Sequence, residues 1–169
     1  SGLIYNLQQD SKNEITAWKT YLKYHRTGKN FSLASRAVKR LNNLNDFTYR
    51  SYQLGNRKII LSQSALVKRL PTDDFHQEVA ILADALRKDL RLQLDIVFFH
   101  EDDALKARKN AIELKNNILA LVGIKEEKRV RLSWFGEKES VQASSGNYQL
   151  PESLLLFGSR NFIQSKDTK

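Results

Sequence analysis

The stretch RLQLDIVFFHEDDALKARKNAIELKNNILALVGIKEEKRVRLSWF, residues Arg91–Phe135, decides the fold. It opens with Leu92–Phe99, an apolar run rich in β-branched and aromatic residues, which predicts a strand. A long helical pattern follows and is closed by Gly123. The stretch ends in Val130–Trp134, where apolar and polar residues alternate as in a half-buried strand. This order predicts a βαβ unit with two parallel strands in one sheet.

The helix inside this unit is expected to be apolar over about half of its circumference. Its apolar positions run from Leu105 to Val122, and two cations, Arg108 and Lys115, fall among them. We expect their aliphatic stems to lie along the apolar surface while the charged ends reach solvent, or the charged ends to pair with acids of other elements. So broad an apolar surface indicates contact with the sheet and with a second surface, either another helix of the chain or a partner.

An acidic turn, His100-Glu101-Asp102-Asp103, joins the first strand to this helix. Open α/β sheets bind ligands beyond the carboxyl ends of their strands, and carboxylates suit hard divalent cations, so a metal-dependent enzyme is one hypothesis. The structural alternative is that these acids cap the helix and offset its dipole. Because four consecutive residues point in different directions, we favour the structural role and predict no catalytic residue, no metal ligand and no cofactor.

The composition is typical of a soluble globular protein. The chain has 169 residues, of which 41% are hydrophobic and 28% charged. It has no Cys, which excludes disulfides, Cys-ligated zinc and thiol nucleophiles and leaves an intracellular location as the default expectation. No apolar run reaches the roughly 18 residues of a membrane span, so no membrane partner is expected. Because the chain does not begin with Met, we expect it to be an excised or tag-cleaved piece, and the sequence does not tell whether flanking or targeting segments were removed.

The net charge of +9 is concentrated in the N-terminal part of the chain. Residues 1–70 contain 13 Lys and Arg against three acids, whereas residues 71–169 contain 15 basic and 16 acidic residues. Such an asymmetry indicates either a polyanionic or acidic partner for the N-terminal part, or a basic surface that keeps the protein soluble.

Two amphipathic helices are predicted in this basic part. A capping box, Ser11-x-x-Glu14, is expected to begin the first, which ends near Thr27-Gly28. The second runs from Ser32 to about Asn45. Its buried face is predicted to comprise Leu33, Ala37, Leu41 and Leu44. Each helix carries a basic stripe on another side, which is how helices are presented to phosphates, although Lys and Arg also fill exposed helix faces as good helix formers.

A β-hairpin is predicted after the helices, with Phe47–Leu54 and Arg57–Leu61 flanking the turn Gly55-Asn56. Tyr49 and Tyr52 fall on opposite faces, so one of them is expected to be exposed. Two helices followed by a basic hairpin follow the element order of a winged helix-turn-helix module, without a family signature. The predicted nucleic-acid contacts are Lys19, Lys23, Arg26, Arg36, Lys39, Arg40, Arg50, Arg57 and Lys58.

The remaining segments give weaker signals. A short helix, Ser62–Leu70, is expected to end at Pro71, and Thr72 or Asp73 then caps a helix that reaches Leu90. Its predicted apolar stripe is Phe75, Val79, Leu82, Leu86 and Leu90. A weak hairpin is expected from Val141–Ala143 and Tyr148–Leu150, followed by a helical turn over residues 153–157. The phosphate-loop and dinucleotide-binding glycine patterns are both missing from the sequence.

These features predict an α+β fold with a small mixed sheet containing one βαβ unit. Helices are expected on one face, Val97 is expected to be buried under Ile112 and Ile118, and the basic helical pair plus hairpin packs at one end. One compact domain, 1–169, is expected, comprising a basic helix-helix-hairpin part (10–61), an α/β part (62–157) and a C-terminal tail (158–169).

Two functional hypotheses remain besides the metal-dependent enzyme. The first is a non-catalytic binding module that contacts nucleic acid through the basic helices and hairpin. The second is a protein–protein assembly subunit that binds an acidic partner surface. The sequence does not distinguish DNA, RNA and acidic protein as the partner. If Lys19, Lys23, Arg36, Lys39 and Arg40 each contact a phosphate, affinity for duplex DNA should fall with salt at a log–log slope of about −4.

Overall fold

The computed structural model describes residues 2–68, 72–160 and 162. For residues 2–8 and 72–73 it describes the backbone only. The chain forms five α-helices and seven β-strands over these residues. The helices are α1 (Gly2–Tyr24), α2 (Phe31–Asn43), α3 (Gln63–Lys68), α4 (Thr72–Lys88) and α5 (Ala104–Val122). The strands are β1 (Tyr49–Leu54), β2 (Arg57–Ser62), β3 (Gln93–His100), β4 (Val130–Phe135), β5 (Glu139–Ala143), β6 (Gly146–Leu150) and β7 (Glu152–Ser159).

The main sheet has five strands in the order β2-β1-β7-β3-β4, and β5 and β6 form a separate hairpin. β3 and β4 are parallel, and α5 is the crossover between them, which confirms the predicted βαβ unit. β7 runs antiparallel to β3 and pairs with β1 in parallel at Leu54 and Gly158. The sheet is therefore mixed and the fold is α+β, as predicted.

One face of the sheet is covered by α3, α4 and α5. Leu94, Ile96 and Phe98 of β3 are buried against these helices, as are Leu154 and Leu156 of β7. The predicted stripe of α4 is buried at Phe75, Val79, Leu82 and Leu86. Leu90 is 73% exposed instead, because α4 ends at Lys88 and Leu90 falls in the turn that follows.

The helical pair α1 and α2 packs on the other side of the β1–β2 hairpin, at one end of the sheet. Leu22, Ala37 and Leu41 form a second apolar cluster there with Tyr49 and Ile60 of the hairpin. Tyr52 packs in the main apolar cluster, which lies between the sheet and α3, α4 and α5. Both Tyr49 and Tyr52 are buried, so the expectation that one would be exposed is wrong. The reason is that this hairpin has helices on both of its faces.

The N-terminal helix boundaries differ from those predicted. Ser11 caps nothing, because α1 already begins at Gly2 and includes it, and Glu14 accepts hydrogen bonds from Trp18 and Arg40 instead. α1 ends at Tyr24, three residues before Thr27. α2 begins at Phe31, which follows a short 3-10 turn from Gly28 to Asn30.

Two apolar faces were also misassigned. Leu33 lies on the exposed side of α2, where Ala34 and Val38 are buried in its place. Val97 is half-buried, on the face of β3 opposite to α5, because side chains alternate along a strand and Ile96 takes the inward position. Ile118 is buried as predicted, whereas Ile112 is half-buried.

The C-terminal part departs most from the expectation. The predicted helical turn over residues 153–157 is in fact strand β7, which also includes Gly158 and Ser159 of the predicted tail. The weak hairpin is confirmed as β5 and β6. Leu70 and Pro71, expected to end the short helix, and most of the predicted tail lie outside the described residues. In the part of the chain that is described, no helix combines the length and apolarity needed to cross a membrane.

Candidate nucleic-acid interface

The nine predicted cations fall into two groups that differ in what their side chains contact. Arg26, Arg50, Lys19 and Arg40 are engaged by carboxylates of the same chain. The exposed remainder are Lys23, Arg36, Lys39, Arg57 and Lys58. The structure therefore divides a set that the sequence presented as one basic surface.

Arg26 lies inside the protein, where it holds the end of α1 to α4. Its side chain is only 4% exposed, and its guanidinium makes two hydrogen bonds to the carboxylate of Glu78. Glu78 Oε2 also accepts the backbone N–H of Ser62 at 2.8 Å. Burial raises the pKa of Glu78, and the bonds from Arg26 oppose that rise without cancelling it. Arg26 is thus a structural residue and does not reach a surface ligand.

Arg50 anchors the β5–β6 hairpin to the main sheet. Its guanidinium donates to both carboxylate oxygens of Glu139, at 2.7 and 3.0 Å, and to the carbonyl of Leu154 at 3.1 Å. Glu139 also accepts from the hydroxyl of Ser153, and Gln63 accepts from Arg50. This buried network positions the hairpin beside α2, so Arg50 serves the site by shaping it.

Two further cations form ion pairs nearer the surface. Lys19 Nζ lies 2.8 Å from Asp46, and Arg40 donates to both oxygens of Glu14 at 2.6 and 3.1 Å. The hydrogen bond from Arg40 lowers the pKa of Glu14 below its ordinary value. Both pairs tie α1 to the rest of the N-terminal cluster, and their charges are balanced locally.

Arg36, Lys39 and Lys58 line one groove, of about 530 Å³, between α2, the β1–β2 hairpin and the β5–β6 hairpin. No Asp or Glu is among the described residues that line it. Within the same described residues, none of the three cations has an ion-pair partner. Polar side chains, including Ser35 and Gln142, supply hydrogen-bonding groups between the charges. The groove therefore offers uncompensated positive charge to an anionic ligand.

The β5–β6 hairpin forms one wall of this groove, a contact that no sequence pattern predicted. The backbone N–H of Ser144 donates to Asn43 Oδ1 of α2 at 3.1 Å, and Tyr148 packs edge-on against Phe47. The turn Ser144-Ser145-Gly146-Asn147 predicted the hairpin itself, but no local signal shows which distant element it contacts. Lys23 and Arg57 do not line this groove, and Lys23 packs against the ring of Tyr24.

The acidic turn is occupied by separate structural contacts. His100 Nε2 lies 2.9 Å from Glu152, Glu101 lies 3.4 Å from Lys138, and Asp103 accepts the N–H of Lys106 at 2.9 Å as the N-cap of α5. Among the described residues, no three His, Asp or Glu side chains are grouped so that they would hold a metal ion. The turn therefore fits the capping role.

Asp103→Ala is expected to lower the free energy of unfolding by about 1 kcal/mol, because it removes the side-chain acceptor that caps α5. Asp103→Asn keeps an acceptor and should lose much less. Urea unfolding of the three proteins measures the difference. Stabilisation of the wild type by Mg²⁺ or Mn²⁺ that disappears in Asp103→Ala would contradict the capping role and support metal binding.

The two cations on α5 have partners from other elements. Lys115 Nζ lies 3.0 Å from Glu127, and the Arg108 guanidinium lies 5.7 Å from the centre of the Trp134 ring. They are accounted for within the chain and add nothing to the groove.

Comparison of the chain with protein-family models, with curated proteins and with solved structures gives no match, so the function has to be argued from the residues themselves.

Proposed function

We propose that this protein is a non-catalytic binding module that contacts nucleic acid through the groove between α2 and the two hairpins. The observation that carries the proposal is the convergence of Arg36, Lys39 and Lys58 on a groove whose described lining has no carboxylate. Phosphate contacts from Lys and Arg supply most of the affinity of nonspecific nucleic-acid binding. Three unpaired cations around one groove suit a chain of regularly spaced phosphates.

The geometry reduces the number of expected phosphate contacts. Lys19 and Arg40 were both predicted to contact nucleic acid. They form ion pairs with Asp46 and Glu14 instead. The ligand is therefore expected to run along α2 and the hairpin, without using the length of α1. Because the groove lies between α2 and two hairpins, we infer that it accepts one nucleic-acid backbone. These considerations support a single-stranded ligand over a double-stranded one.

The salt dependence of binding tests this proposal. With three phosphate contacts, counterion release predicts a log–log slope of about −2 for a single-stranded oligonucleotide and about −3 for a duplex. Fluorescence anisotropy with both labelled oligonucleotides, over a range of salt concentrations, measures the slope. Lys39→Ala should reduce the magnitude of this slope by about the amount that one phosphate contact contributes.

Lys109→Ala is the matched control, because Lys109 is exposed on α5 and lies outside the groove lining. It should leave the slope unchanged. Absence of binding at low salt would contradict nucleic-acid binding and favour an acidic protein as the partner. Equal effects of Lys39→Ala and Lys109→Ala would show that binding is spread over the whole basic surface and does not use the groove.

A further inference from the structure

A second, larger groove of about 750 Å³ lies along strand β2, on the other side of the hairpin. Its base is the segment Arg57–Ile60 of β2. One wall is α4, and the other is the connection between α1 and α2, with Thr27, Gly28 and Phe31. β2 is the first strand in the sheet order, so the groove follows an edge of the sheet formed by the described residues.

The backbone of β2 points hydrogen-bonding groups into this groove. The N–H of Ser62 is directed away from β1, because it donates to the Glu78 carboxylate of α4. Backbone direction alternates along an antiparallel strand, so the N–H of Lys58, four residues earlier, is also directed away from β1. The outward N–H of Ser62 is thus already bonded to Glu78. The outward N–H of Lys58, which is exposed, is available to pair with an added strand.

The walls and base of the groove include apolar side chains that pack against the core and remain partly exposed. Gln77, Ala80, Ile81, Asp84 and Lys88 follow each other at helical spacing on the side of α4 that lines the groove. Ile81 is half-buried on this face. Across the groove Phe31 is half-buried, and Ile59 is half-buried at the base. An extended segment inserted here would cover apolar side chains on both sides.

The net positive charge around this groove favours a negatively charged ligand. Arg57, Lys58 and Lys88 line the groove, and Asp84 is the one acid among the described residues that line it. Lys88 pairs with Asp84 at 2.9 Å, and that hydrogen bond lowers the pKa of Asp84. Arg26 also borders the groove, but its guanidinium is bound by Glu78. The excess positive charge of Arg57 and Lys58 is left for a ligand with carboxylates.

We propose that the groove along β2 binds an extended, acidic segment of a partner protein, which pairs with the backbone of β2 as an added strand. Main-chain hydrogen bonds to the β2 edge hold the segment, apolar side chains enter between α4 and Phe31, and its carboxylates meet Arg57 and Lys58. The two grooves share Lys58, but Arg36 and Lys39 line only the nucleic-acid groove and Arg57 lines only the groove along β2, so the two proposals can be tested separately.

The test uses short labelled peptides of alternating glutamate and valine as probes. The wild-type protein should bind the glutamate peptide, and a lysine–valine peptide of the same length should not bind. A glutamate–valine peptide N-methylated on every second residue keeps its side chains but cannot pair on that edge, and should bind about tenfold or more weakly. Equal binding of the methylated and unmethylated peptides, or no binding of either, overturns the proposal.

A matched pair of variants locates the contact at Lys58. Lys58→Ala removes the charge and keeps the backbone N–H, whereas Lys58→Pro removes both and leaves the hydrogen bonds to β1 intact. Lys58→Pro should weaken peptide binding by about fivefold relative to Lys58→Ala, as the loss of one hydrogen bond predicts. The two variants should bind an oligonucleotide equally, since only charge matters there. Equal peptide binding by the two variants contradicts strand addition.

Two other occupants of the groove give different results in the same set of measurements. If a second copy of this chain fills it, sedimentation of the wild type alone will show a dimer that Lys58→Pro dissociates, and the acidic-partner proposal falls. If nucleic acid fills it, oligonucleotides will displace the peptide from an Arg36→Ala, Lys39→Ala double variant as well as from the wild type. Failure of displacement in that double variant supports two separate sites.

Discussion

Glu78→Ala is expected to lower the free energy of unfolding by about 3–5 kcal/mol, because it leaves the guanidinium of Arg26 buried without a counter-charge. Both side chains of this pair are almost completely buried, at 4% and 1% exposure. The same substitution removes the acceptor of the Ser62 N–H at the edge of β2. Equilibrium unfolding in urea, followed by circular dichroism, measures the loss.

A double variant separates the unpaired charge from the loss of packing. Arg26→Met combined with Glu78→Leu leaves no buried charge, so it should lose less stability than Glu78→Ala alone, although Ser62 still lacks its acceptor. The comparison pair is Arg40 with Glu14, which lies at the surface, where Glu14→Ala should have little effect. If Glu78→Ala is as mild as Glu14→Ala, the buried pair does not hold α1 to α4.

Ile118→Ala is expected to lower the free energy of unfolding by about 2–5 kcal/mol, from the lost transfer energy and the cavity left behind. Ile118 is fully buried in α5, within the cluster that this helix forms with α4 and β3. Lys109 lies on the exposed side of the same helix, so Lys109→Ala is the matched control and should have little effect. The measurement is again urea unfolding, with m-values compared to check that both variants unfold in the same way.

Equally mild effects of the two substitutions would mean that this side of α5 does not contribute to the core. The broad apolar surface of α5 would then be a contact surface for a partner. The structure indicates where such a surface would begin, since Leu105 and Leu121 are exposed at the two ends of the helix. The main buried positions, Ala107, Ala111 and Leu114, lie between them.

The elements that the sequence predicted well are those specified by neighbouring residues. The βαβ unit follows from two apolar runs around a helix that Asp103 caps and Gly123 ends. The β1–β2 hairpin follows from Gly55, whose positive φ of 62° suits the turn. In both cases the strands that pair are close in sequence or joined by one helix, so local patterns are sufficient.

The elements that were missed depend on contacts between distant residues. The run Leu154-Leu155-Leu156-Phe157 is apolar at every position, and a short run of this kind does not distinguish helix from strand. Its place between β1 and β3 makes it a strand. The candidate site shows the same limit, since periodicity placed Arg26 among surface cations although Glu78, 52 residues away, holds it inside.

The central position of β7 has a consequence for the synthesis of the protein. β1 and β3 have no direct contact in the sheet order and are joined only through this last strand, and Arg50 contacts Leu154 across 104 residues. At ordinary elongation rates a ribosome needs roughly 5–20 s to make the intervening segment. From the completion of β3 until β7 is made, the inner edges of β1 and β3 are both unpaired and able to join strands of other chains. Slow translation or crowded polysomes should therefore favour aggregation of this protein, and a chaperone that shields strand edges should act on it before residue 159 is made.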